Sequence, residues 1–460
     1  MELLSGVQRV HITGIGGIGT SGLAMLLAES GIQVSGSDVV RPPFLDSYPE
    51  EMFAVSLEQD GSALPKEIDL LVRTVAAEPG SNAEVDAALE RGIPVKTYPE
   101  VLGELTKKFR TIAVTGTHGK TTTSAMIGKV LLDAGLDPSI LVGSFLPYLN
   151  GKNARLGSGD WLVIEADEYR QAFHHYWPEV AVVTNVEFDH PDAYEDEAAV
   201  QDAMVEFLQH VPSGGLLVLN VDDKGSNAVE ARLEGDADVV LTSVQDDLRA
   251  AIVPESLSLG PAASEFSVGS TAYTLRVPGQ YNVANALQAI AVADHLEVSR
   301  ADSAKSLGGF QGTWRRFQLR GTRDGADVID DYAHHPTEVR ATLSAAKQRY
   351  PDKRVIVVFQ PHHRARLQGL LDEFATAFTD ADEVLLLPTY HVEGREEGIE
   401  DQVTVLYDKL ETSGVHVRFF QTFVGVAGAV IPQLSEDVVV LTLGAGDVTQ
   451  VPDLILGESA

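Results

Sequence analysis

Residues 111–122 read Thr111-Ile112-Ala113-Val114-Thr115-Gly116-Thr117-His118-Gly119-Lys120-Thr121-Thr122. The β-branched run Thr111–Thr115 predicts a buried strand, the glycines a tight turn, and the residues from Thr121 onward a helix. Strand, glycine loop and helix in that order make a phosphate cradle. Glycines let backbone N–H groups approach phosphate oxygens, the helix N-terminus adds partial positive charge, and Lys120 adds a full one. Thr121 offers a hydroxyl to the Mg²⁺ that accompanies a triphosphate. The Gly-x-x-Gly-Lys-Thr spacing is two residues shorter than the general P-loop, so Gly116, Thr117, His118, Gly119, Lys120, Thr121 and Thr122 form a variant ATP loop.

Downstream, the predicted strand Trp161–Ile164 runs into Glu165-Ala166-Asp167-Glu168. A second, Val180–Thr184, runs into Asn185 and then Glu187-Phe188-Asp189-His190. Either acidic run alone reads as a solvated loop. Ligand groups, however, gather at the carboxyl ends of strands in an open parallel sheet. Two acidic clusters beside a phosphate loop therefore predict a Mg²⁺ site, since Mg²⁺ takes oxygen ligands from carboxylates and phosphates.

Upstream, the strand Val10–Thr13 precedes Gly14-Ile15-Gly16-Gly17-Ile18-Gly19, a helical stretch Ser21–Glu29, and a short strand Gln33–Ser35 followed by Asp38. This is a formal dinucleotide fingerprint, and by itself it points to an NAD-dependent oxidoreductase. Beside the central ATP loop, the same N–H physics suits the diphosphate of a second ligand, with Gly14, Gly16, Gly17, Gly19 and Asp38 as the candidate contacts. Alternation of strands and helices continues to Lys96, and the charged stretch Thr106–Arg110 reads as a linker.

Farther on, a strand is expected at Gly215–Asn220, a small antiparallel hairpin at Phe266–Val268 and Tyr273–Val277, and a helix at Val283–His295. A third α/β unit follows, with strands at Asp327–Asp331, Arg354–Phe359, Glu383–Leu387, His416–Phe420 and Val438–Leu443. The expected fold is α/β in three domains: a Rossmann-like unit over 1–107, a central P-loop ATPase with a mostly parallel sheet over 108–311, and a second Rossmann-like unit over 312–460.

Composition agrees. A chain of 460 residues suits roughly three domains, and 44% hydrophobic with 22% charged residues suits a globular protein. No run of 18 apolar residues predicts a membrane span, and the start carries no signal-like segment. The absence of cysteine excludes disulfides, thiolate nucleophiles and cysteine-based zinc sites, and is compatible with a cytoplasmic setting. A formal net charge of −33 argues against nucleic acid and anionic membranes as partners. Anionic substrates must then meet locally concentrated cations, which directs attention to Lys120, Arg315-Arg316 and Arg364/Arg366.

Taken together, Gly116–Thr122, Glu165–Glu168, Thr184–Glu187 with Asp189-His190, and Gly279-Gln280-Tyr281-Asn282-Val283-Ala284-Asn285-Ala286 resemble the Mur ligase family. So do Arg315-Arg316-Phe317, Asp330-Asp331-Tyr332-Ala333-His334-His335-Pro336-Thr337-Glu338 and Gln360-Pro361-His362. The motifs follow family order across essentially the whole chain. The resemblance implies an ATP-dependent ligase of peptidoglycan precursor synthesis that joins a carboxylate to an amine through an acyl-phosphate. It implies UDP-N-acetylmuramate and an amino acid as substrates, L-alanine favoured, with a preformed tripeptide or another acceptor as the alternative. A monomer or weak homodimer is expected.

Carried over residue by residue, Lys120 holds the β- and γ-phosphates, and Thr121, Glu165 and His190 bind Mg²⁺. Asn285 reads the adenine, Arg316 meets the γ-phosphate and Asp331 the ribose. Tyr332, His334, His362 and Arg366 place the substrates. The sequence departs from the family pattern at Thr74-Val75-Ala76, Arg170, Tyr281, Trp314 and His363. His174, His175, Tyr176 and Trp177 read as packing for a surface loop, and His11 as an ordinary strand residue.

Overall fold

The computed structural model describes residues 2–39, 52–62, 64–391 and 398–457. Valine- and leucine-rich runs form the strands, and those central to each sheet are buried on both faces, as parallel strands covered by helices must be. The first sheet contains β1 (Arg9–Thr13), β2 (Gln33–Ser37), β3 (Ala54–Ser56), β4 (Leu70–Arg73) and β5 (Val95–Thr97). Its order is β3-β2-β1-β4-β5, parallel throughout.

The central sheet has seven strands: β6 (Arg110–Thr115), β7 (Ser139–Leu146), β8 (Lys152–Arg155), β9 (Trp161–Glu165), β10 (Val180–Val183), β11 (Leu216–Asn220) and β12 (Asp238–Thr242). Their order is β12-β11-β10-β6-β9-β7-β8, and the edge strand β8 is antiparallel. This puts the carboxyl end of β6, where the phosphate loop starts, between those of β9 and β10, where the acidic clusters start. A three-stranded antiparallel sheet follows, β13 (Ser256–Leu259), β14 (Ser264–Val268) and β15 (Thr271–Leu275). The last sheet comprises β16 (Gln318–Arg323), β17 (Ala326–Asp331), β18 (Arg354–Phe359), β19 (Glu383–Leu386), β20 (Val417–Phe419) and β21 (Val438–Leu443). Its order is β16-β17-β21-β18-β19-β20, with only β16 antiparallel.

The first and central sheets share one hydrophobic core, in which Leu23, Leu102 and Phe109 pack with Leu141, Leu162 and Phe207. The last sheet has its own cores on its two faces, around Phe359, Phe374 and Phe378 and around Ile356, Val426 and Val440. No helix among the described residues is long and apolar enough to cross a membrane.

Several expected elements shift. The stretch Thr106–Arg110 is barely a linker: a helix runs from Tyr98 to Thr106 and β6 begins at Arg110, leaving Lys107–Phe109 between them. That helix starts with a capping box between Thr97 and Glu100 and with Pro99 in its first turn, so its start is written in the sequence. The hairpin lies two residues earlier than expected, with Thr271 and Leu275 bounding its second strand, and gains β13 as a third strand. The helix expected from Val283 starts at Gln280. His11 is buried in β1, and its Nδ1 lies 2.9 Å from Ser35 Oγ. Tyr176 is buried, His174 stacks on Phe173, and Trp177 lies flat on His210 at 4.3 Å, so the aromatic cluster is packing, with Trp177 at its exposed edge.

Candidate active site

The phosphate loop is built by local constraint. Gly116 has φ +123° and Gly119, at the N-cap of the helix Lys120–Asp133, has φ +83°, conformations that favour glycine. The loop is tied to the end of β10. The His118 N–H donates to Asn185 Oδ1 (2.8 Å), Thr184 Oγ1 donates to the His118 carbonyl (2.5 Å), and Thr117 Oγ1 accepts from the Glu187 N–H (2.8 Å). A Cβ on Gly116 would sit 2.3 Å from Thr184 Oγ1 and 2.6 Å from the Asn185 carbonyl. We expect Gly116→Ala to cost about 2–3 kcal/mol and lower the Tm by roughly 3 °C. Gly369→Ala, with nothing within 4 Å of its added carbon, is the control and should leave the Tm unchanged. A wild-type Tm in Gly116→Ala would contradict the packing described.

Lys120 Nζ donates to the Gly116 carbonyl (2.6 Å) and to Glu168 Oε2 (2.8 Å). Burial works against its charge, but the Glu168 and Asp167 carboxylates prevail and hold the ammonium above its ordinary pKa. Thr121 Oγ1 donates to Glu165 Oε2 (2.9 Å), whose other oxygen accepts the Gly143 N–H (2.5 Å). Burial pushes the Glu165 pKa up, against the opposing pull of these donors and Lys120. An under-compensated, half-buried carboxylate next to a hydroxyl is a fit place for a cation. Asp167, Glu168 and His190 add three donor atoms within 4.8 Å of one another.

Two cavities meet at this loop and a third adjoins the second. The first, about 800 Å³, lies between the central and last sheets and is lined by His118, Gly119, Thr121, Thr122, Asn285, Arg316, Asp331 and Glu338, among others. The second, about 1590 Å³, gathers Lys120, Thr121, Glu165, His190, Arg316, Tyr332, His334, His362 and Arg366. The third, about 1200 Å³, opens toward the N-terminal loop with Gly17, Gly19, Thr74, Tyr98 and Arg170. His118, Thr121, Arg316 and Glu338 line both the first and second, and Ile18, Glu165 and Asp167 line both the second and third. One continuous channel thus joins the two glycine loops.

Within the first loop, Gly17 and Gly19 face that channel. Gly16 and Asp38, both expected at the ligand, bond to each other: the Gly16 N–H donates to Asp38 Oδ2 at 2.7 Å. The Gly14 N–H goes to the Ser37 carbonyl at 2.9 Å. These three residues close the turn, because a loop crossing from β1 to a helix must first satisfy its own amides.

The paired arginines divide. Arg315 is buried and anchors the last sheet, with Nε on Asp330 (2.9 Å) and a terminal nitrogen on the Gly444 carbonyl (2.5 Å). Arg316 points into the channel, 3.5 Å from Glu338 Oε1 and 5.1 Å over the Tyr332 ring. Burial pushes the Asp331 carboxyl up to about 6 despite the nearby Arg316 charge and the N–H groups of Phe317 and Ala333. Burial also lowers His334 to about 3 and His335 to about 4, leaving both imidazoles neutral near pH 7. His118 behaves oppositely: burial disfavours its imidazolium, but Glu338 and Glu187 raise it to about 10.

The residues of the family departures also find places. Arg170, at φ +49°, reaches Glu78 of the first unit at 3.4 Å, and Trp314 packs on Phe145. Tyr281 lines the first cavity, and His363 is buried beside the second.

Four partners escaped the sequence reading: Glu168 on Lys120, Asn185 on the loop, Glu338 on His118, and Asp189, which takes a two-pronged ion pair from Arg366 at 2.7 and 3.1 Å. Glu168, Asn185 and Asp189 were marked by their strand-end clusters though not by partner, and Glu338 by its place three residues after the helix-capping His335.

Three family descriptions match consecutive parts of the chain: the Mur ligase family catalytic domain at residues 9–110, the Mur ligase middle domain at 114–293 and the Mur ligase glutamate ligase domain at 315–446. The chain belongs to the Mur ligase family, whose members are ATP-dependent ligases. It is 37% identical to the UDP-N-acetylmuramate–L-alanine ligase of Clostridium novyi (strain NT) over 456 residues, 98% of this chain and 97% of that one. It also resembles the crystal structure of the UDP-N-acetylmuramate–alanine ligase MurC from Thermotoga maritima, with TM-score 0.83, 27% identity and 98% of each chain covered. The murein peptide ligase from Psychrobacter arcticus 273-4 superposes less closely, with TM-score 0.73 and 25% identity over 98% of each chain.

Proposed function

We propose that this protein joins L-alanine to UDP-N-acetylmuramate at the expense of ATP, in the cytoplasm, through an acyl-phosphate. The observation that carries this function is the channel itself: a phosphate loop, a cluster of acids and a set of cationic and aromatic side chains open onto one space, reached from the opposite side by the N-terminal glycine loop. Activating a carboxylate with a nucleotide requires such a meeting of two ligands. An NAD-dependent oxidoreductase has no use for the central loop.

In this scheme residues 1–107 hold the UDP-sugar, residues 108–311 hold ATP, and residues 312–460 bring in the amino acid and complete the nucleotide cleft. Asn285 and Asp331, which line the first cavity, face the adenosine, while Lys120 and Arg316 flank the transferring phosphoryl group. Phosphoryl transfer needs position and charge neutralisation more than covalent help, and these two cations supply both. Thr121, Glu165 and His190 are the residues that would hold Mg²⁺, whose charge neutralises the triphosphate. Tyr332, His334, His362 and Arg366 border the space left for the acceptor. Closing the last sheet over the channel excludes water from the acyl-phosphate.

Purified protein with ATP, Mg²⁺, UDP-N-acetylmuramate and single amino acids is the decisive assay, read as ADP release. L-alanine should raise ADP release above every other amino acid and above the tripeptide. ADP release stimulated only by the tripeptide would assign the protein to the peptide-ligase branch. No stimulation by any acceptor would refute ligase activity altogether.

A further inference from the structure

The loop after β9 holds two neighbouring residues in the left-handed region, Arg170 (φ +49°, ψ +31°) and Gln171 (φ +58°, ψ +31°). Neither is a glycine or an asparagine, so each sits there at a conformational cost. The surroundings impose it. The Gln171 N–H donates to the Glu168 carbonyl (2.8 Å), the Phe173 N–H donates to the Asp167 carbonyl (3.1 Å), and the Phe173 ring is buried. The result of this strained backbone is a guanidinium on the wall of the third cavity, the one that reaches the N-terminal glycine loop. We propose that Arg170 is the residue that grips the diphosphate of the sugar nucleotide. This rests on reading that cavity as the sugar-nucleotide site.

The glycine loop itself creates the demand for such a cation. Most of its amides are already bonded: Gly14 and Ile15 both donate to the Ser37 carbonyl, Gly16 donates to Asp38 Oδ2, and Gly17 donates to the Gly14 carbonyl. The opening turn of the helix Ile18–Glu29 remains to face a ligand, and it offers partial charge only. The Asp38 carboxylate at the same turn repels an anion, as do Glu165 and Asp167 on the cavity wall. A diphosphate in this space therefore needs a full positive charge beside it. Among the described residues that line the cavity, Arg170 is the only lysine or arginine. Arg73, at the end of β4, is directed instead to the carbonyls of Thr74, Val75 and Ala77.

Arg170 is also free to change partners. It meets Glu78 at 3.4 Å, and both side chains are more than half exposed, so water screens the pair and little is lost when it parts. A planar guanidinium can then donate two parallel N–H groups to phosphate oxygens, which a lysine ammonium does not match. Glu78 belongs to the first unit and Arg170 to the central one, so the exchange fastens the ligand to both.

The test is calorimetric binding of UDP-N-acetylmuramate to the full chain held with Mg²⁺ and a non-hydrolysable ATP analogue, followed by steady-state kinetics. Arg170→Asn removes the charge and suits the left-handed backbone. It should weaken binding about 30-fold, and Arg170→Lys should recover part of the loss. In turnover, Arg170→Asn should raise the KM for the sugar nucleotide by a similar factor, with kcat and the KM for ATP within about twofold of wild type. Glu78→Gln should act in the opposite direction and tighten binding about threefold, because it removes the competitor for the guanidinium. A purely structural role for the pair gives both variants the same sign. Equal binding by wild type and Arg170→Asn, or weaker binding by Glu78→Gln, overturns the assignment and leaves the sugar-nucleotide reading standing. Wild-type protein that does not bind the sugar nucleotide at all overturns both.

Discussion

Lys120→Ala is expected to abolish ligation, with kcat down by about 1000-fold or more while the chain still folds. The ammonium is the full positive charge at the head of the helix Lys120–Asp133, and removing a preorganised charge from a phosphoryl-transfer site costs several kcal/mol of transition-state stabilisation. The substitution also strands Glu168, which is buried and loses its ionic partner, so the Tm should fall as well. Lys120→Ala/Glu168→Gln separates the two effects. The double variant should regain stability and remain inactive. Retained ADP release in either variant would remove Lys120 from the chemistry.

Arg366→Met should carry the largest stability effect, about 3–5 kcal/mol, because it leaves the buried Asp189 carboxylate unpaired. Burial alone would raise the Asp189 pKa, but the Arg366 and His190 charges hold it well below the ordinary range. For a carboxylate depressed in this way, the stabilisation is complete above the unfolded value near about 4. It disappears only as pH falls through the lower folded value. The gap in Tm between wild type and Arg366→Met should thus be widest at neutral pH and narrow in acid. A gap that widened on acidification would mean that Asp189 does not carry the charge assigned to it.

Local chemistry was legible and tertiary chemistry was not. The run from Thr111 to Thr122 encodes its strand, turn and helix within twelve residues, and glycine at 116 and 119 is demanded by backbone conformation alone. The acids at 165–168 and 187–189 could be placed because parallel sheets align the carboxyl ends of their strands. By contrast, Glu338 reaches His118, and Arg366 reaches Asp189, across distances in the chain that no local pattern encodes. The helix Tyr98–Thr106 was hidden by its charged end, although Thr97 and Glu100 marked its start. The N-terminal fingerprint predicted its turn correctly, yet could not reveal that Asp38 would satisfy the Gly16 amide.

The shared core of the first two units sets how the machine divides. Their apolar contact is continuous, and Asn153 donates across to the Ile18 carbonyl at 2.6 Å, so parting them would expose a common core. The last unit is seated by polar contacts, including Arg366 on Asp189, Thr337 on Glu187 and Gln348 on the Gly260 carbonyl, and by apolar ones at Phe188 and between Trp314 and Phe145. Lifting that unit off would therefore cost a buried ion pair as well as those rings, and a pair so well shielded gives dissolved salt little purchase.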